Sequence, residues 1–339
     1  MKNNKRKYEK LISRLGLNRV LIDEPLANYS SFRLGGPADL MYKASTHIEL
    51  ERSIQAAYSL GIPIFIMGGG TNLLISDQGF KGLVIKNETS RIQLIGVRGG
   101  NLLKNKDKIT ENSKIYLEVD AGIGVNRLVR YTLDQGFSGL EPFLGQPGSI
   151  GGAMWINAHN MSMGKYIGNT VYSAKIIELT GKIKKIPKSY FHFSYDFSIL
   201  QNTSEIVLSV IFELSRGVKE KLWQEAQSVL EYRSQTQPHG VYSSGCTFRN
   251  ISKSDAIRLA TPKYTTSAGY LLESAGLKGK SIGGAMYSSH HTNFIIHKGE
   301  AKASDVLQLI NLGKKKVREK FGVMLHEEVV LVGEFNKNG

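Results

Sequence analysis

One cysteine among 339 residues cannot build a disulfide framework, so packing alone must hold this chain, which suits a reducing compartment. No apolar run approaches the roughly 18–20 residues that a bilayer span needs. The basic opening Met-Lys-Asn-Asn-Lys-Arg-Lys leads into further charge, not into the apolar stretch of a secretion signal. Internal repeats, low-complexity linkers and metal-ligand spacings are missing as well, and no metal is expected. Acidic residues are scarce, 29 against 44 Lys and Arg, for a formal charge of +15. A basic chain invites a nucleic-acid reading, but the basic residues are spread out apart from Lys2–Lys10 and Lys314–Lys316. Zinc-finger spacing, an aromatic RNA-binding signature and a basic zipper helix are all lacking. A positive field for phosphorylated small molecules, or a plain solvated surface, fits better than nucleic acid.

Glycine is what the chain has in quantity, at two places above all. The apolar run Pro63–Met67 ends abruptly in Gly68-Gly69-Gly70-Thr71-Asn72, and a second cluster follows at Gly145-Gln-Pro-Gly-Ser-Ile-Gly-Gly-Ala153. Glycine lets backbone approach a ligand closely and turn its N–H groups toward it, which suits a diphosphate. Neither cluster is a G-x-x-x-x-G-K-[ST] nucleotide loop, because no lysine follows the last glycine, and neither is a G-x-G-x-x-G fingerprint. Taken singly, each is as readily a tight turn. Two such loops point to a long ligand with two ends, for which a dinucleotide such as FAD is the natural candidate.

Around these loops the hydrophobic spacing predicts a charged helix or arm over residues 1–20 and a helix over 47–60 closed by Gly61. Strands are expected at 63–67, 82–86 and 115–119, and a helix carrying Val125, Leu128, Val129 and Leu133. Residues 87–113, polar and including Lys104–Lys108, read as a surface loop. A hairpin over Val171–Leu179 and Lys182–Ile186 follows, then a strand at Ile206–Leu214 and a helix at Lys219–Arg233. The last third offers a helix from Ser304, read as its cap, to Phe321, and a closing strand Glu328–Val332. The fold class is α+β. The domain reading is a basic arm over 1–20, a cofactor domain over 21–217 in two subdomains split near 88–113, and a C-terminal domain over 218–339.

Several motifs resemble one family in its own order. Asn28–Ala38 and Gly68–Leu74 look like the flavin-domain opening of UDP-N-acetylenolpyruvoylglucosamine reductase, and Gly139–Ala153 with Asn157-Ala158 resembles its second flavin loop. Arg233 with Gln237-Pro238, Ser244–Asn250, Ala268–Gly279, Gly283–Ala285 with His291–Ile295, and Phe321–Val329 continue the likeness. It covers roughly residues 20–335. The resemblance implies a two-part FAD-binding domain of the vanillyl-alcohol-oxidase (PCMH) type and a C-terminal α+β substrate domain. It implies a cytoplasmic enzyme of peptidoglycan precursor synthesis, expected to be a monomer of the lidless type II subclass. NADPH would reduce FAD, and the enolpyruvyl ether of UDP-N-acetylglucosamine would receive hydride at its vinyl carbon and a proton at the neighbouring carbon.

The same resemblance implies the site residues. Gly68, Gly69, Gly70, Thr71 and Asn72 would hold one end of the cofactor, and Gly145, Gly148, Ser149, Gly151 and Gly152 the other, with Arg33 in a turn that serves either structure or ligand. Cys246 stands where the family has a serine acid, and a thiol with an ordinary pKa of about 8.5 can do that work. Glu328 falls on the catalytic glutamate, with Glu327 as the register-shifted alternative. Asn250, Arg249 and Arg233 are substrate candidates. His291 and Glu273 read as structural.

One departure stands out: the family's Tyr-Arg-x-Ser is Tyr195-Asp-Phe-Ser198 here. A carboxylate ~4 Å from the substrate carboxylate would cost about 4 kcal/mol at an effective dielectric of ~20, roughly a thousandfold in rate. Asp196 is therefore expected to turn away or to pair with a cation, with Arg249 or Arg233 supplying the missing charge. Two other readings stay open at this point. One is a different flavin oxidoreductase of this fold; the other is a flavin or UDP-sugar binder that has lost its chemistry.

Overall fold

The computed structural model describes residues 2–98 and 113–335. The chain forms two compact units, each assembled from three separate stretches. The first comprises residues 1–22, 40–69 and 82–233, and the second 23–39, 70–81 and 234–339.

The first unit is built on an antiparallel sheet. Its order is Ile183–Pro187, Val171–Ile177, Ile206–Arg216, Lys114–Asp120 and Ile92–Arg98, with Phe137–Ser138 beside the end of the long central strand. The expected hairpin forms, Ile177 facing Ile183 across the Thr180-Gly181 turn. Ile115, Leu117, Val119, Val210, Phe212 and Leu214 point into one core, closed by the helix Val125–Asp134 through Leu128, Val129 and Leu133. The helix Lys219–Thr236 adds Leu222 and Ala226 to this core. Most of it therefore lies in the first unit, whose last stretch ends at Arg233, whereas the domain reading sets its boundary near residue 217.

A second core in the same unit lies under the basic N-terminal helix Lys2–Leu15, which buries Leu11 and Leu15 against the helix His47–Ser59 and against Leu83 and Ile85. Ile64–Met67 pairs in parallel with Phe80–Asn87, Ile64 opposite Leu83 and Met67 opposite Lys86.

The span read as a loop from 87 to 113 holds the edge strand Ile92–Arg98. Its alternation is blurred by a bulge between Leu94 and Gly96 and by the exposure of Leu94 and Ile95. The Lys104–Lys108 run lies outside the described residues.

In the second unit, the small sheet Ser281–Ile282, Ala285–Tyr287 and Ile295–Ile296 and the helices Ala268–Ser274 and Ala303–Phe321 enclose a core of Phe248, Leu271, Leu272, Tyr287, Ile295, Leu309 and Ile310. Leu73–Ile75 pairs in parallel with Val330–Val332. The long helix starts at Ala303, and its cap is not Ser304. Both carboxylate oxygens of Asp77 accept its first amides, Ala303 N–H at 2.8 Å and Ser304 N–H at 3.0 Å. Among the described residues no helix is long and apolar enough to cross a membrane, and no group of three His, Cys, Asp or Glu is placed to hold a metal.

Candidate active site

The first unit brings the two glycine loops into contact. A Cβ on Gly68 would lie 2.1 Å from Ser149 Oγ, and one on Gly69 would lie 2.7 Å from Gly148 Cα. Those glycines are needed first for loop-on-loop packing, which no side chain permits. The second loop is pinned from behind: Val125 N–H donates to Gly148 C=O, Ile150 N–H to Ile123 C=O, Gly151 N–H to Ala121 C=O, and Gly145 N–H to Asn126 Oδ1. Ser149 caps the helix Ile150–Ile156, its Oγ accepting from Gly152 N–H. Arg233 stands beside this loop, its Cδ 3.7 Å from where a Gly145 Cβ would be.

Gly152 differs from its neighbours. It is exposed, in the first turn of a helix, and a Cβ there would meet only Ser149 Oγ at an ordinary 3.6 Å. Glycine costs a helix about 1 kcal/mol relative to alanine, and among the described residues no neighbour demands it here. Close approach of a ligand to bare backbone does demand it, so the loop pair fits a flavin dinucleotide. Lys86, which the sequence reading passed over, donates to the Gly68 carbonyl. Burial, with Lys43 nearby, lowers its pKa against the opposing charge of Glu88. Its place in an apolar strand gave no sequence signal.

The remainder of the first glycine cluster, Gly70 to Asn72, belongs to the second unit. Gly70 takes φ +66° with its α-carbon so near Tyr29 that a Cβ would sit 2.1 Å from the Tyr29 carbonyl. Asn72 Nδ2 donates to the Glu328 carbonyl at 2.9 Å, and Val330 N–H donates back to the Asn72 carbonyl. An expected cofactor residue is thus a strut for Glu328. Arg33 is exposed at φ +53° and donates to the Asn28 carbonyl. The glycines after it are packing requirements, since a Cβ on Gly36 would fall 2.2 Å from the Asp77 carbonyl.

The segments that carry Cys246 and Glu328 pair through backbone. Residues 245–250 run antiparallel to 326–329, with Glu328 N–H donating to the Thr247 carbonyl at 2.9 Å and Arg249 N–H to the His326 carbonyl at 2.9 Å. On the other side Cys246 bridges Phe294, and Asn293 grips Phe248 at both ends of its peptide, accepting from its N–H and donating to its C=O. Asn293 was quoted only as part of a motif; this clamp explains it. Glu327 pairs with Lys314, and Glu328 follows it on the segment that pairs with that of the thiol. Asn250 Oδ1 accepts from Ala268 N–H, so part of that side chain supports a helix start. His291 stacks edge-on with Phe294 and accepts from Asn293 N–H; burial lowers its pKa, helped by His290 and opposed by its own backbone and Glu273.

Asp196 is buried completely, at φ +50° in a tight turn where Ser194 and Phe197 exchange backbone hydrogen bonds. Its Oδ1 lies 3.3 Å from Nδ1 of His159, a residue the sequence reading did not single out. Arg233 belongs to the first unit, and Arg249, Asn250, Cys246 and Glu328 to the second.

Residues 38–187 match the family pattern described as an FAD binding domain, and residues 237–332 that of the UDP-N-acetylenolpyruvoylglucosamine reductase C-terminal domain. The chain is 35% identical over 325 residues to the UDP-N-acetylenolpyruvoylglucosamine reductase of Clostridium botulinum, covering 95% of both. It is 36% identical over 331 residues to that of Bacillus pumilus, covering 97% of this chain and 99% of the relative. The crystal structure of UDP-N-acetylenolpyruvylglucosamine reductase from Thermus caldophilus superposes with a TM-score of 0.70 at 28% identity, covering 92% of this chain and 98% of that one. A VAO-type flavoprotein from Myceliophthora thermophila, at 9% identity and a TM-score of 0.54 over 93% of this chain and 85% of its own, shares the fold.

Proposed function

The chain belongs to the UDP-N-acetylenolpyruvoylglucosamine reductase family, and from that we propose how its own residues carry the reaction. The enzyme is a flavin-dependent oxidoreductase of peptidoglycan precursor synthesis. It adds a hydride and a proton across the enolpyruvyl double bond of UDP-N-acetylglucosamine enolpyruvate, giving UDP-N-acetylmuramate. FAD, when bound, supplies the hydride that it takes from NADPH.

Gly68, Gly69, Gly148, Ser149, Gly151 and Gly152 offer bare backbone to the cofactor, as the needless glycine at position 152 supports. Gly70, Thr71 and Asn72 continue that loop, and Asn72 also fixes the backbone of Glu328. The Cys246 thiol holds the proton destined for the carbon that bears the carboxylate. Glu328, as a protonated or hydrogen-bonded carboxyl, steadies the enol(ate) as charge accumulates there. Asn250, Arg249 and Arg233 bind the anionic substrate. The enzyme works as a cytoplasmic monomer of the lidless subclass without nucleic acid.

The observation that supports this reading is the backbone pairing of the Cys246 segment with the Glu328 segment, in which Glu328 N–H donates to the Thr247 carbonyl. The test is anaerobic: the yellow protein is reduced with one equivalent of NADPH, the enolpyruvyl sugar is added, and flavin absorbance is followed. Rapid return of absorbance with formation of UDP-N-acetylmuramate is expected. Reduction without substrate-driven return would overturn the reading.

A further inference from the structure

Each glycine loop of the first unit has one peptide group held from behind. In the second loop the Gly148 carbonyl accepts from Val125 N–H. In the first, the Gly68 carbonyl accepts from the ammonium of Lys86. A trans peptide points its N–H opposite to its carbonyl, so these anchors turn the amides of Ser149 and Gly69 away from the groups that hold them. Among the described residues neither amide has an acceptor. The two loops touch at this point, since a Cβ on Gly69 would lie 2.7 Å from Gly148 Cα and 3.3 Å from Ser149 N. Neighbouring unpaired amides on bare backbone form a concavity of the kind that takes an anion.

The loops differ in what anchors them. An uncharged backbone N–H serves the second, whereas the first uses a lysine. Lys86 stands near the end of the strand Phe80–Asn87, where Leu83 and Ile85 enter the core beneath the N-terminal helix and Lys86 alternates to the other face. Its side chain is partly buried, and among the described residues its hydrogen-bond partner is the Gly68 carbonyl alone. The charged groups about it are Glu88, two residues further on, and Lys43 of the neighbouring strand Pro37–Ala44. Burial withdraws the ammonium from water and lowers its pKa; Lys43 adds to this and Glu88 opposes it. A partly desolvated cation answered by a neutral carbonyl is costly. An anion seated at the Gly69 amide would offset that cost.

We propose that Lys86 is a positioning residue for the cofactor: its ammonium holds the Gly68 carbonyl back, aims the Gly69 N–H at the diphosphate of the dinucleotide, and places a positive charge behind that peptide. The inference rests on the flavin reading above and adds a charged side chain to loops that otherwise act through backbone. It also gives a use to a lysine set in an otherwise apolar strand.

The experiment uses the flavin-loaded protein and its Lys86→Met and Lys86→Arg variants. The FAD dissociation constant is read from the flavin fluorescence released on dilution, at a series of pH values from neutral to alkaline. In the parent, affinity should fall as pH rises through the Lys86 pKa of the flavin-free protein. Above that point the amine is neutral, and binding must either take up a proton or forgo the charge. Lys86→Met keeps the length of the side chain without its charge. It should bind FAD at least tenfold more weakly at neutral pH, the scale of one charged hydrogen bond, and lose the alkaline fall. Lys86→Arg should stay within about threefold of the parent and hold its affinity where the parent loses it, because a guanidinium does not titrate there. A lysine that only braced the loop would leave the affinity of the parent flat with pH. Such a flat profile, parent-like affinity in Lys86→Met, or an alkaline fall in Lys86→Arg equal to that of the parent overturns the inference and leaves the reductase intact. Should the methionine variant fail to fold, the parent and arginine profiles decide by themselves. A parent that retains no FAD overturns the flavin reading itself.

Discussion

Gly313 lies in the middle of the helix Ala303–Phe321, buried against Tyr287, Leu272 and Phe248, and replacing it by alanine tests how tightly the second unit is packed. The new Cβ would lie 2.2 Å from Tyr287 Oη, 3.2 Å from Leu272 Cδ2 and 3.3 Å from Phe248 Cε2. The phenol cannot retreat: Tyr287 is fully buried, and its hydroxyl donates to the Leu309 carbonyl at 2.8 Å. Alanine gains about 1 kcal/mol of helix propensity over glycine. Against that gain stand ~1–3 kcal/mol of overpacking and ~1 kcal/mol for the displaced hydrogen bond. The expected net loss is about 1–3 kcal/mol. Tyr287→Phe alone should cost about 1 kcal/mol, the value of that hydrogen bond. In the double variant the obstructing oxygen is gone and the propensity gain is recovered, so stability should return to within about 1 kcal/mol of the parent. The two changes should therefore couple by at least ~1 kcal/mol. Urea unfolding of the four proteins in the cycle measures this, with flavin release followed separately. Additive costs, or a Gly313→Ala variant more stable than its parent, would refute the packing argument. Because Phe248 is two residues from Cys246, Gly313→Ala should also slow substrate-driven reoxidation, and Tyr287→Phe should restore it.

Four further outcomes follow from the same geometry. Gly152→Ala should fold and gain up to about 1 kcal/mol in unfolding, since no described residue crowds its Cβ, yet hold FAD at least tenfold more weakly; unchanged retention in a flavin-release assay would mean that no ligand approaches that position. Cys246→Ser should keep most reoxidation activity and Cys246→Ala should lose roughly a hundredfold or more, while reduction by NADPH is unaffected in both; equal rates for serine and alanine would remove the thiol from the reaction. Asp77→Ala should cost about 1–2 kcal/mol in chemical unfolding, as two first-turn amides lose their acceptor. Glu118 gives a pH dependence. Burial pushes its carboxyl up, but hydrogen bonds from Lys175 and Ser209 with the charges of Lys175 and Arg91 carry it below the ordinary range. A depressed carboxylate stabilises the fold above its unfolded pKa of about 4.3, and that stability is lost as pH falls through the folded value. Glu118→Gln should therefore be less stable than the parent near neutrality, and the gap should narrow below about pH 4.3 and close in stronger acid.

The parts of the fold with strong periodicity were legible in sequence. The hairpin at Thr180-Gly181, the stripe of Leu128, Val129 and Leu133, and the long helix ending at Gly322 all follow from spacing and end signals. The edge strand Ile92–Arg98 was hidden because a bulge breaks its alternation and its apolar residues face solvent. The cap of the long helix was misread because Asp77 reaches it from another stretch of chain, a partner no local pattern contains. The compact units part after Arg233 and not at the expected 217 for a similar reason: the helix in between looks like a new beginning, yet its apolar face adds to the core before it. At the site, the glycine loops and the Cys246 segment were visible as motifs, whereas His159 had no motif to mark it. Only folding the Tyr195-Asp196 turn back onto the end of the flavin-loop helix brings it into view.

The parallel pairing of Leu73–Ile75 with Val330–Val332 sets an order of events for a chain made from its N-terminus. Phe32, Leu34 and Leu74 leave the ribosome early, yet they belong to a core whose other members come from residues after 234. Until synthesis nears its end these residues have no partners, and they must wait while the intervening first unit condenses. Closing contacts across so much chain is slow. Release of a chain truncated anywhere in its last hundred or so residues would leave that early apolar surface exposed for good. Chaperone dependence during synthesis, and aggregation of nonsense-truncated products, should accordingly track the appearance of the final strand and not the completion of the first unit.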